Sequence, residues 1–87
     1  MMAPEMNEKE RGEKLVRLEE LKCMGEKAYD EMYEVSSKSA ASGPYANAKD
    51  AFTDAIQLAR ELGMSEECAR LEERLEHIKS VFRGQFS

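Results

Sequence analysis

Eighty-seven residues, 36% of them charged and only 7% aromatic, allow one small domain with a thin core of Ala, Leu and Met. A net charge of −5 works against binding nucleic acid or anionic lipid, because both are held by Lys and Arg that neutralise phosphates. No apolar run approaches the ~20 residues of a membrane span, and two cysteines are too few for a disulfide framework.

Residues 1–6 are expected to be disordered. Met1-Met2-Ala3-Pro4-Glu5 has neither the basic nor the apolar region of a secretory signal, so the expected location is the cytoplasm. Asn7, followed three residues later by Glu10, has the pattern of a capping box that opens a helix. From there Leu18, Leu21, Gly25, Ala28, Met32 and Val35 step by three and four, which places them on one face. This predicts a first helix over about 7–38.

Ser39-Ala40-Ala41-Ser42-Gly43-Pro44 is read as the main break, because small polar residues compete with the backbone for hydrogen bonds. Ser42 or Gly43 is the expected cap of a second helix over about 44–62, with Pro44 in its first turn. Tyr45, Ala48, Phe52, Ala55, Ala59 and Leu62 form its stripe, widened by Ala51, Ile56 and Leu58. So broad a band predicts burial on two sides and hence the central position.

Gly63 suits a left-handed helix end with Met64 as its apolar partner, and Ser65 is the expected cap of the third helix. Cys68, Leu71, Leu75, Ile78 and Phe82 make the third stripe, over about 66–83. Gly84 is the expected stop, and residues 85–87 the tail. Short links force neighbouring helices to run antiparallel. The fold class expected is therefore all-α: an up-down-up antiparallel three-helix bundle over 7–84 with a long first helix.

The first helix could reach about 48 Å and the other two about 27 Å each, at 1.5 Å per residue. Its charged start, Glu8 to Lys14, is then expected to lack a packing neighbour. Glu10 and Lys14 are spaced for an ion pair along that stretch.

Gly43-x-Tyr45-x2-Ala48-x3-Phe52-x2-Ala55 resembles the second half of a tetratricopeptide repeat. The likeness covers residues 43–55 and implies close helix–helix contact across Ala48 and Ala55. In whole-chain outline the sequence is similar to microtubule-interacting-and-trafficking domains. That similarity implies a three-helix bundle that binds short peptide helices.

Candidate chemistry is sparse. His77 is the only histidine, and nothing nearby specifies a nucleophile or an oriented partner for it. Cys68 falls on the core stripe and Cys23 opposite one, so both are expected to be free thiols. Glu73 and Glu76 precede His77 at the wrong spacing for a carboxylate metal site. No cofactor and no metal are expected, and an enzyme is the least expected reading.

The leading expectation is a protein–protein interaction module that captures a partner helix or peptide beside the first helix. Its candidate contacts are Leu15, Leu18, Tyr29, Met32 and Tyr33, since aromatic and Met side chains make large adaptable contacts. The alternative is a homodimer, structural or chaperone-like, paired through the spare length of the first helix. Nucleic acid and membrane are not expected partners.

Overall fold

The structure, a computed structural model, describes residues 7–35 and 37–86. Three helices run up-down-up: α1 Glu8–Glu34, α2 Lys38–Glu61 and α3 Ser65–Phe86. The disorder expected for residues 1–6 concerns positions outside the described residues, as does Ser87 of the expected tail. Among the described residues no helix is long and apolar enough to cross a membrane.

α1 opens where the capping pattern put it. Asn7 is extended, and its Oδ1 accepts the Glu10 N–H at 2.7 Å, which satisfies one orphan donor of the first turn. The helix stops at Glu34, short of the expected 38. Val35 turns extended there and lays its side chain against the core.

The break between α1 and α2 is the main correction. It falls at residues 35–37, and Ser37 caps α2 by accepting the Ala40 N–H on Oγ at 3.1 Å. The stretch from Ser39 to Pro44, expected to be a loop, is helical. Packing decides this. An earlier start puts Ala41 on the face of Ala48 and Ala55, and all three are fully buried. The Ser42 hydroxyl donates to the Ser39 carbonyl at 2.9 Å, so it serves the helix instead of interrupting it. Pro44 sits inside α2, where its missing N–H deprives the Ala40 carbonyl of its usual donor. Ala40 is exposed, so water can satisfy that carbonyl. Ser42 and Gly43, the expected caps, also lie within α2.

The earlier start of α2 removes most of the length mismatch. α1 has 27 residues and α2 has 24, a difference of about 4.5 Å at 1.5 Å per residue. The charged start of α1 is therefore not a free overhang. Arg11 Nη1 donates to the Leu62 carbonyl at 3.4 Å, and Lys14 pairs with Glu61 at 3.1 Å, not with Glu10. A homodimer built on spare helix length loses its geometric basis.

α2 ends as its sequence indicates. Gly63 has φ +73, the Met64 N–H donates to the Ala59 carbonyl, and the Gly63 N–H donates to the Arg60 carbonyl. These are the two bonds of a Schellman end, and Met64 packs on the core beside it. The Met64 carbonyl then accepts the Cys68 N–H, so Met64 holds the cap position expected for Ser65. α3 continues past Gly84 to Phe86.

α2 is the central element, as its wide apolar band requires. It packs on both neighbours, whereas α1 and α3 meet mainly through side chains. Phe52, Leu18, Met32 and Ile78 are the largest fully buried side chains. The closest approach is at Gly25 of α1. A Cβ there would lie 2.6 Å from the Phe52 ring. Near the far end of the core Tyr45 stacks on Phe82, with centroids 4.0 Å apart.

Candidate helix-docking groove

The residues expected to capture a partner do not form one surface. Leu18 is 1% exposed and Met32 0%. Both belong to the core because they face α2. Tyr29 is buried as well, under the seam between α1 and α3. Leu15 and Tyr33 are exposed, but eighteen positions of helix separate them by about 27 Å.

The α1–α3 seam is closed by polar side chains. Lys22 pairs with Glu67 at 2.6 Å. Arg74 grips Glu26 through Nε at 2.8 Å and Nη2 at 2.6 Å, and its guanidinium lies 4.7 Å from the Tyr29 ring centroid. The Tyr29 hydroxyl hydrogen-bonds His77 Nε2 at 3.1 Å, and Tyr33 meets the Tyr29 ring edge-on. Sequence spacing gave no sign of the Tyr29–His77 bond, because its partners are 48 residues apart. His77 is thus a surface clip for Tyr29.

Two groups in this seam make stability depend on alkali. The hydrogen bond that Lys22 donates to Glu67 raises the Lys22 pKa above its ordinary value, and burial raises that of Tyr29. In both cases folding favours the protonated form. Their stabilisation is fully present below the ordinary values, and it is lost as pH rises from about 10 through the raised folded values. The melting temperature should therefore fall across that window in the native chain. Lys22→Met combined with Tyr29→Phe should flatten the fall, and an equally steep fall in that double variant would contradict the assignment.

An open groove does run beside α1, on a different face. Arg17, Leu21, Met24, Lys27, Ala28 and Glu31 line it from α1, and Asn47, Asp50, Ala51 and Asp54 from α2. This stretch holds about 450 Å³. It continues past Gln57 and Leu58 to Glu61, still bordered by Arg17 and Leu21. No α3 residue lines either stretch. The antiparallel packing of α1 on α2 brings these residues together, since each helix contributes positions at the edge of its buried stripe. The floor is apolar and low, because Ala28 and Ala51 are small. Met24 stands up from it at 52% exposed.

Much of the rim charge is unsatisfied. Lys27, Glu31, Asp50 and Asp54 make no ion pair among the described residues, and Arg17 reaches only Glu20 on its own helix at 3.5 Å. The seam with α3, by contrast, is heavily paired. An elongated trough with a narrow apolar floor suits an α-helix better than a small molecule, which needs a concave, enclosed site.

Cys23 is exposed and Cys68 half-buried, both as free thiols. Among the described residues no group of three or more His, Cys, Asp or Glu could hold a metal ion. Fold and groove together define an all-α three-helix bundle with an elongated groove between α1 and α2. No family model, curated protein or solved structure matches the chain.

Proposed function

We propose that this chain is a protein–protein interaction module that docks an amphipathic helix in the α1–α2 groove. The observation that carries this reading is the combination of apolar floor and unpaired charged rim on the hairpin face that α3 leaves open. An incoming helix would set its apolar stripe on Leu21, Met24, Ala28 and Ala51. Its flanking charges would meet Lys27 on one side and Asp50 and Asp54 on the other. Binding energy would come from the apolar contacts, and orientation from the rim.

The groove also relocates the expected site. Capture remains beside the first helix but moves away from Leu15, Leu18, Tyr29, Met32 and Tyr33. A randomised library of amphipathic helical peptides, selected on the native chain, tests it. The expected result is enrichment of peptides with an i, i+3, i+4, i+7 apolar stripe. They should lose at least about tenfold in affinity on a Met24→Arg variant, since a charge would then occupy the centre of the apolar contact. Tyr33→Ala should leave their binding unchanged. Peptides that bind Met24→Arg as well as the native chain, or no enrichment at all, would overturn the proposal.

A further inference from the structure

We infer that the α1–α2 groove is covered by the same groove of a second copy of this chain, related by a two-fold axis parallel to the helices. This inference rests on the helix-docking reading and names its occupant.

The groove is complementary to itself. Its α1 wall carries Arg17 and Lys27, and its α2 wall carries Asp50 and Asp54 with Glu61 farther along. Glu31 is the one acid on the α1 wall, and α2 contributes the neutral Asn47 to the same stretch. A two-fold axis along the bundle turns the hairpin face onto itself while keeping every residue at its own height. Each α1 then lies antiparallel to α2 of the other copy. Arg17 and Asp54 border the same stretch of groove, as do Lys27 and Asp50. Lys27 of one copy therefore comes opposite Asp50 of the other, and Arg17 comes level with Leu58, between Asp54 and Glu61, twice over by symmetry.

The competing two-fold arrangement runs perpendicular to the helices. It would set α1 on α1 and α2 on α2, so that Asp50 and Asp54 faced another acidic wall. Juxtaposed like charges are strongly unfavourable, so the charge pattern selects the first arrangement. The low floor at Ala28 and Ala51 lets the second hairpin approach, and Met24 supplies the standing apolar contact.

The area is also sufficient. A two-helix face about 36 Å long and about 20 Å wide offers roughly 700 Å² per copy, close to the roughly 800 Å² per partner of a standard interface. Leu21, Ala28 and Ala51 are already mostly covered within one chain, so the apolar gain is small. The dimer is consequently weak, with a dissociation constant of about micromolar order. It loosens as salt screens the exposed rim pairs.

Sedimentation velocity over a wide dilution series tests this with two exposed charge-swap variants. One carries Arg17→Glu and Lys27→Glu, the other Asp50→Lys and Asp54→Lys. The native chain should dimerise reversibly, and more weakly at high salt. Each variant alone should remain folded by circular dichroism and lose at least about a hundredfold in self-affinity, because like charges then face each other. Mixed in equal amounts the two variants should form a heterodimer, since both walls are again complementary. A native chain that stays monomeric throughout, or swaps that dimerise unchanged, would overturn the inference. Loss of dimer in both swaps without rescue on mixing would overturn the two-fold arrangement. A monomeric native chain that still binds the library-selected peptides would remove the second copy as occupant and leave helix docking standing. A monomer that binds none of them would remove both.

Discussion

Phe52→Ala should leave little of this bundle folded at room temperature. Phe52 is 1% exposed and is among the largest fully buried side chains on the central helix. Truncating a buried Phe to Ala costs about 3–5 kcal/mol, from lost transfer energy and from the cavity left behind. An ordinary scaffold of this length holds roughly 3–5 kcal/mol in total. The surroundings cannot close the gap cheaply, because Ala48 and Ala55 beside it are already fully buried and Gly25 opposite has no side chain to extend. Far-UV circular dichroism against urea is the measurement. A cooperative transition within about 1 kcal/mol of the native one would show that the core can collapse around the loss.

Gly25→Ala is the sharper test, because local and tertiary effects push in opposite directions. In an isolated helix Ala is more favourable than Gly by about 0.8–1.0 kcal/mol, so propensity alone predicts stabilisation. The added methyl, however, would sit 2.6 Å from one Phe52 ring carbon and within 2.9 Å of two others. Real contacts of that kind are not that short. The buried ring cannot swing into solvent, so the helices must separate. Overpacking of this sort costs typically about 1–3 kcal/mol. The variant should therefore melt below the native chain, and Gly25→Leu should not fold cooperatively. Gly25→Ala placed on a Phe52→Leu background should lose that penalty. A double-mutant cycle in urea measures the coupling, and a near-zero coupling would mean that the two residues do not set the α1–α2 distance.

Much of the fold can be read from periodicity. The three stripes of apolar residues step by three and four, and most of their members are buried where that rhythm puts them. The Asn7 cap and the Gly63 end are equally plain, because each is a local hydrogen-bonding device within a few residues of sequence. The central place of α2 followed from its wide band.

The start of α2 differs from the expected position because Ser, Gly and Pro carry a strong local preference for turns. That preference is worth up to about 0.7 kcal/mol for Ser, about 1 for Gly and about 3 for Pro. The stretch is helical despite it, with Ser37 as the cap and Ala41 buried against the core. One shifted boundary had wide consequences. It lengthened α2, removed the apparent overhang of α1, and tied Lys14 to Glu61.

The candidate site was less accessible still. Tyr29 and Met32 stood out by residue type, yet type does not reveal that Tyr29 reaches His77 across 48 residues or that Met32 faces α2. Groove residues such as Arg17, Met24, Lys27, Asp50 and Asp54 look like ordinary surface positions in the sequence. Their sequence signal is that they border the buried stripes of two successive helices on the same side.

The amino-acid order alone was enough for the number of helices, their core faces and two of their ends, the Asn7 cap and the Gly63 stop. These depend on interactions between residues three or four apart, where spacing along the chain is also spacing in space. The closure of the α1–α3 seam, the α1–α2 groove and the opposite charges of its two walls arose only when the helices packed. Each depends on the rotation and height of one helix against another, and those are set by contacts such as Gly25 on Phe52 that bring distant parts of the chain together.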